Sequence, residues 1–488
     1  MPTRRATAFG QTRYDRTYPT GDMGGKMHYL TATEMIELLR TRQIGAVELL
    51  DAHLRRIEEV NPKVNAIVTL VAERARREAE EADRDLARGR WRGPLHGLPV
   101  AHKDLADTAG IRTTYGSPIF ADHVPTADAP IVRRMREAGA ITVGKTNTPE
   151  FGTGSHTVNE IFGATRNPYD LSRSAGGSSG GAAAALATGM VALADGSDMG
   201  GSLRNPASFC NVAGLRPTPG RVPPPSSAAA WFTLGVPGPM ARTAGDLALL
   251  MSAVAGFDAS FPLSITESGS AFAGPLDLDL TGVRVAWSPD LGGLPVDAET
   301  AKVTADAPAA LAELGARVER VDLDLSAAED SFRIYRAWYY ALSFGDLPRE
   351  SLGANVRWNV ERGCELTGAD LARAERLRSE LYRRMSSFFD TYDFLIAPVS
   401  QVPPFPVDAP YVSEINGEAL PDYLAWMRSA YWISVLHAPA ASVPCGFTSG
   451  GLPVGVQIVG RPFADMAVLR LAHAFERATG HGSRRPPL

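Results

Sequence analysis

The sequence predicts an α/β protein built on one large sheet covered by helices. Short apolar segments such as Pro99–Lys103 and Phe394–Pro398 have the length and composition of buried strands. Between them lie segments with apolar residues at helical spacing, such as Pro130–Ala138 and residues 300–316. Alternation of the two kinds implies a mostly parallel sheet with helices on its faces. The chain has 488 residues, 44% of them hydrophobic, enough to bury a sizeable core.

In chain order, residues 1–26 carry an Arg pair with no apolar stretch behind it. They read as a loosely ordered extension, not a secretory leader. Residues 27–488 then read as one domain. Thr33 reads as an N-cap, followed by Met35, Ile36, Leu38 and Leu39 at helical spacing, and a second helix is expected from Val47 through Ile57. Residues 70–90 suggest an amphipathic surface helix. Pro99–Lys103 reads as a strand, Pro130–Ala138 as a helix and Ala140–Gly144 as a strand. Gly176–Gly181 form a glycine–serine loop that opens into AAAALATGMVALA, a stretch with strong helix propensity. Arg216–Pro239 is dominated by Pro and Gly and reads as long irregular loop. Val283–Trp287, Phe394–Pro398 and Val454–Val459 are strand candidates, residues 300–316 a helix and Ala464–Thr479 a closing helix. Residues 325–435 read as a helical excursion rich in aromatics.

Bulk properties exclude several functions. A net charge of −5 argues against a nucleic-acid partner. The longest apolar run, Gly181–Ala194, is interrupted by Thr188 and Gly189 and is too short to span a bilayer, so no membrane association and a cytoplasmic location are expected. The three cysteines, Cys210, Cys364 and Cys445, form no C-x-x-C pair and read as inert core or near-core thiols. No metal or cofactor is expected: there is no H-E-x-x-H, and His96 and His102 lack a recognisable ligand partner. A homodimer is the default oligomer.

Two glycine–serine motifs stand close together, Ala175–Gly181 and Gly196–Arg204. Either alone is an ordinary turn or linker. Both, however, adjoin apolar segments. Amide hydrolysis needs a nucleophile, a base and donors for an oxyanion. Glycines before a serine let successive N–H groups converge on one point, and Met199-Gly200-Gly201-Ser202 has that composition. Serine hydrolases often use a histidine base, but none of the nine histidines lies in either motif. Lys103 is an alternative. It ends an apolar strand, where lost solvation disfavours the charged amine. Viewed alone it reads more readily as a surface lysine at a strand end.

At these residues the sequence resembles the amidase signature enzymes. The carrying segments are Gly97–Asp104, Gly176–Gly181 and Gly196–Ala207, with further matches at Gly214–Arg221 and Leu452–Gly460. The separations, 75 residues from Lys103 to Ser178 and 24 from Ser178 to Ser202, also look like the family's. The resemblance spans Leu30 to the C-terminus. It implies a large twisted mixed β-sheet covered on both faces by α-helices, and cleavage of a C–N bond in a small-molecule amide, anilide, carbamate or ester. Ser202 would be the nucleophile and Lys103 the neutral base. Ser178, at a cis peptide bond, would relay the proton. N–H groups of Met199, Gly200, Gly201 and Ser202 would hold the oxyanion. Asp198, Arg204 and Ser179 would support the loops. Met199 departs from the family, which often has Thr there, but the role is a backbone one.

Two rivals remain. Gly176–Gly180 satisfies the G-x-S-x-G of a Ser-His-Asp esterase, although the preceding Arg166–Ser174 looks polar and turn-forming rather than like a strand. The chain could also be the glutaminase component of a tRNA-dependent amidotransferase. Against that stand Asn205, where Gln would be expected, and the Trp231–Gly235 segment. Tyr115, Trp231, Phe232, Trp338 and Trp426 are the expected pocket walls, chosen for position and bulk.

Overall fold

The structure, a computed structural model, describes residues 27–225 and 228–488. The expected extension at residues 1–26 lies outside the described residues.

Eleven strands form the central sheet. In chain order they are β1 (Ile67–Leu70), β2 (Pro99–Lys103), β3 (Ile141–Thr146), β4 (Leu193–Asp198), β5 (Ala213–Arg216), β6 (Val236–Ala241), β7 (Arg284–Trp287), β8 (Arg317–Arg320), β9 (Phe394–Pro398), β10 (Ala440–Phe447) and β11 (Pro453–Gly460). Across the sheet the order is β1-β3-β2-β4-β6-β5-β10-β11-β9-β7-β8. The sheet is mixed, as the family resemblance implies. The expectation of mostly parallel pairing from alternation alone fails: only β3-β2-β4 and β9-β7-β8 pair in parallel. The middle of the sheet is antiparallel, because β10 and β11 form a hairpin and β6 returns between β4 and β5.

Each strand's alternating residues point to opposite faces, and two separate cores result. Val285, Trp287, Phe394, Ile396 and Ile458 point into one core, while Ala286, Leu395, Ala397 and Val459 point into the other. The first core is covered by α1 (Ala32–Arg40), α2 (Ala46–Val64), α3 (Ala72–Ala87), α4 (Pro130–Glu137), α5 (Gly180–Ala187), α6 (Arg204–Phe209) and α7 (Ala244–Val254). Downstream lie α8 (Ala298–Thr304) and α9 (Ala307–Glu313), two helices where one was expected, with Pro308 in the first turn of the second. The second core lies under α10 (Ala327–Phe344), α12 (Gly368–Thr391) and α13 (Arg428–Val435), while α11 (Ala354–Cys364) buries Val356 and Val360 with Tyr340 in a smaller third cluster; these four helices fall in the expected helical excursion, which β9 interrupts. The closing helix α14 (Asp465–Thr479) packs on β10, β11 and α7.

Several local expectations are corrected. The N-cap of α1 is Thr31, not Thr33: Thr31 and Glu34 exchange backbone and side-chain hydrogen bonds in a capping box. Thr33 instead donates its N–H and hydroxyl to Asp246 Oδ1, tying α1 to α7. The alanine-rich helix ends at Ala187, and Leu193–Ala194 opens β4. Arg216–Pro239 is not loop throughout, since β6 begins at Val236. Cys210 and Cys445 are buried, but Cys364 is exposed. No helix among the described residues is long and apolar enough to cross a membrane.

Helix α5 shows how the interior positions the site. Every residue in Gly180–Ala187 is buried. A side chain at Gly181 would place its Cβ 2.3 Å from the Asn147 backbone nitrogen. The small residues let this helix lie against neighbouring backbone, and the loop that leads into it, with Ser179 as N-cap, brings Ser178 to the end of β2.

Candidate active site

Strands β2 and β4 are parallel neighbours, with Val100 opposite Leu193 and Ala101 opposite Ala194. Both therefore end at the same edge of the sheet. Lys103 closes β2, and Ser197 and Asp198 close β4. The carboxyl ends of parallel strands are the usual ligand-binding side of an open α/β sheet.

Lys103 Nζ lies 2.7 Å from Ser178 Oγ and 3.1 Å from Ser197 Oγ. The lysine is 1% exposed. Burial lowers its pKa from 10.5 to about 7, while the carboxylates of Asp195 and Asp198 act in the opposite direction. A neutral amine at that position can take a proton from Ser178. The Gly177–Ser178 peptide is cis. Ser155 Oγ donates to the Gly177 carbonyl at 2.5 Å, and Asn205 Nδ2 donates to Ser155 Oγ at 3.0 Å. Ser179 N–H donates to the Ser202 carbonyl at 3.2 Å, which fastens the two serine loops together. Lys103, Ser178 and Ser202 line one cavity of ≈ 320 Å³. Ser197 is an unforeseen neighbour of the lysine. Its signal was its place one residue before Asp198 on the same strand.

The loop that carries Ser202 is built on a buried ion cluster. Asp198 Oδ1 accepts from Gly201 N–H at 2.9 Å and Oδ2 from Leu203 N–H at 3.2 Å. Arg204 Nε donates to Asp198 Oδ2 at 3.0 Å, and Arg216 Nη1 lies 3.3 Å from Oδ1. Burial alone would push this carboxyl up, but the two guanidinium groups override it and hold it well below the usual carboxylate range. Arg204 also donates to Gln457 Oε1 on β11 and to Ser434 Oγ on α13, so the loop is tied to both sides of the molecule. Gly201 has φ +102°, and a Cβ there would lie 2.4 Å from that of Ala430. Only glycine fits. Its N–H, expected among the oxyanion donors, is directed at Asp198 in this structure.

The histidines lie elsewhere. His102 Nδ1 lies 2.6 Å from Asp195 Oδ1 and its Nε2 3.1 Å from Thr142 Oγ1. His156 bonds Ser174 Oγ and the Val407 carbonyl. The polar segment before Ser178 does contain a small hairpin, Arg166–Asn167 with Asp170–Ser174, contrary to the reading of turns alone. Yet the side chain on Ser178 Oγ is a lysine, not the histidine a Ser-His-Asp esterase requires.

Of the expected walls, Tyr115 and Phe232 line the cavity. Trp231 is 71% exposed, Trp338 stands behind Phe232 with ring centroids 6.0 Å apart, and Trp426 is buried against Phe209 and Phe405. The main wall was missed. Phe332, Arg336, Tyr339, Tyr340 and Phe344 of α10 all line the cavity. Phe332, Arg336, Tyr340 and Phe344 recur every four residues, with Tyr339 three after Arg336, and form one helix face. That periodicity is present in the sequence, but nothing in it says which face meets the cavity. Asn205, where the sequence argument expected Gln in an amidotransferase component, is fully buried and donates to Ser155 Oγ.

Comparison with known proteins agrees with this geometry. The Amidase family model matches residues 48–469. An acylamidase of Rhodococcus erythropolis is 37% identical over 473 residues, covering 94% of this chain and 98% of its own. A glutamyl-tRNA(Gln) amidotransferase subunit from Moorella thermoacetica is 38% identical over 495 residues, covering 95% of this chain and 99% of its own. The crystal structure of a bacterial aryl acylamidase of the amidase signature family superposes with a TM-score of 0.87 at 30% identity, over 94% of this chain and 98% of that one. With likeness extending over nearly the whole chain, and a buried lysine bonded to a serine at the mouth of a glycine–serine loop, this chain belongs to the amidase signature family.

Proposed function

We propose that this amidase cleaves the C–N bond of a small-molecule amide through an acyl-enzyme on Ser202. The observation that carries the reading is the buried Lys103 Nζ 2.7 Å from Ser178 Oγ, in the cavity that Ser202 also lines. Ser202 Oγ bonds to the carbonyl carbon while its proton passes to Ser178, whose own proton passes to neutral Lys103. The negative charge on the carbonyl oxygen is met by backbone N–H groups of Met199, Gly200 and Ser202. Gly201 N–H holds the loop through Asp198 and is free to join them only if that bond is shared. The C–N bond then breaks, and the leaving amine recovers the proton from Lys103 by way of Ser178. Water attacks the ester along the same relay in reverse and releases the acid. Asp198 and Arg204 hold the loop in register, and Ser179 ties it to Ser178.

Ser202→Ala should abolish turnover of a p-nitroanilide while leaving the unfolding midpoint in place. Near wild-type activity in that variant would put the nucleophile elsewhere. The likeness to the amidotransferase component over nearly the full chain favours a second reading, a glutaminase that works inside an assembly. Hydrolysis of a simple aryl amide by the purified chain alone supports the first reading. Activity confined to glutamine and to a reconstituted assembly supports the second. A homodimer is part of the first reading, and sedimentation of the pure chain tests it.

A further inference from the structure

Among the described residues the substrate cavity has one cation in its wall besides the catalytic lysine; it is Arg336, and it makes no ion pair. Arg336 of α10 is 5% exposed and lines the cavity with Met199, Phe332 and Tyr340. Its Nε donates to Asn359 Oδ1 at 3.1 Å, and its Nη2 donates to Tyr340 Oη at 2.9 Å and Tyr423 Oη at 3.1 Å. Its Nη1 has only the thioether of Met199, at 3.4 Å. Every one of these acceptors is neutral, and sulfur is a poor one. Among the described residues Arg336 makes no ion pair. The other buried arginines of the site region differ: Arg204 and Arg216 share Asp198. Burying a charge is costly unless it is paired. Asn359 and two phenols hold the guanidinium in place through Nε and Nη2, while the third nitrogen, Nη1, faces Met199, a residue of the loop that carries Ser202. Phe332, Tyr339 and Phe344 beside it on α10 carry no charge.

We propose that Arg336 is the substrate-recognition residue of this cavity, and that the amide hydrolysed at Ser202 carries a carboxylate, which displaces the Met199 thioether and pairs with the guanidinium. This rests on the amidase reading of the site and narrows it to a substrate class. With Nε and Nη2 already engaged, the carboxylate would accept from Nη1, a charge-assisted hydrogen bond roughly twice as strong as a neutral one. The carboxylate belongs a few bonds from the scissile carbonyl, because Met199 separates Arg336 from the reacting loop by a single side chain.

The test compares matched substrates on the full-length enzyme. Succinyl and butyryl p-nitroanilides differ by a carboxylate in the acyl half, and 4-acetamidobenzoate and acetanilide differ by one in the amine half. The acid should be preferred at least tenfold in kcat/KM in one of the two pairs. Arg336→Gln, which keeps a hydrogen-bonding side chain but no charge, should bring that ratio near one, lowering kcat/KM at least tenfold more for the acid than for the neutral member. Arg336→Lys should restore part of the preference. A wild-type ratio of one or less in both pairs overturns the proposal. So does an equal fall for acid and neutral substrates in Arg336→Gln, the mark of a purely structural arginine. If neither pair is hydrolysed, the amidase reading fails on its own. Calorimetry on Ser202→Ala then decides the role of Arg336: tenfold tighter binding of succinanilate than of butyranilide supports it, and equal binding overturns it.

Discussion

Replacing Lys103 by Met should destroy activity and, below neutral pH, make the protein more stable. The reason is the burial that makes the lysine useful. Its pKa falls from 10.5 to about 7 in the folded chain. At about 1.4 kcal/mol per pH unit, that difference corresponds to a folding penalty of about 5 kcal/mol at low pH. The sign follows from proton counting. Between pH 7 and 10.5 the unfolded chain binds the proton and the folded chain does not, so stability through this group rises with pH over that window. Below about pH 7 the penalty is fully present; by pH 9 about 2 kcal/mol of it remains. Met has similar length and no charge to desolvate. It does strand the Ser178 hydroxyl, at a cost of about 1–3 kcal/mol. Lys103→Met should therefore be more stable than wild type by about 2–4 kcal/mol at pH 6, and the difference should vanish near pH 9. Denaturant unfolding of both proteins across pH 6–10 measures it. A variant less stable than wild type at pH 6, with a difference that ignores pH, would refute the claim that the lysine is held neutral by desolvation.

The same lysine predicts an acidic limb in kcat/KM centred near pH 7, with activity falling about tenfold per pH unit below it. Asp195 raises the Lys103 pKa, so Asp195→Asn should move that limb to lower pH; a limb that stays put removes Asp195 from the lysine's surroundings. Asp198→Asn should cost about 3–5 kcal/mol of stability, read as a lower unfolding midpoint, because Arg204 and Arg216 lose their shared carboxylate. Ser178→Ala and Lys103→Met should each lower kcat by orders of magnitude, and the double variant should be little worse than either, because the relay works as a unit.

How far the sequence could be read depended on the kind of signal. Lys103, Ser178 and Ser202 were legible because motif spacing is local information, and the structure brings all three to one cavity. The strands around them were legible where apolar runs were unbroken. Strand β6 was not: its sequence, VPGPMA, contains two prolines that cannot donate to a ladder. It forms on β4, which it pairs from Val236 to Met240, while its pairing with β5 begins only at Met240, after both prolines. The antiparallel centre was hidden for a related reason. Strand β10 carries Pro444 and follows Pro439, and its hairpin turn at Thr448–Gly451 lies outside any alternation of helix and strand. The α10 wall, Arg336 included, was readable as a helix but not as a cavity lining, because which face a helix turns inward is decided by partners distant in sequence.

The acyl-enzyme is the central claim, and rapid quenching tests it most directly. The enzyme is mixed with excess p-nitroanilide, quenched in acid during turnover, digested and analysed by mass spectrometry. The mechanism predicts the acyl mass on the peptide that contains Ser202. Added hydroxylamine should give the same hydroxamate-to-acid ratio from two substrates that share an acyl group but differ in leaving amine, since both pass through one ester. An adduct on Ser178 would contradict the account, as would a product ratio that follows the leaving amine with no adduct on either serine.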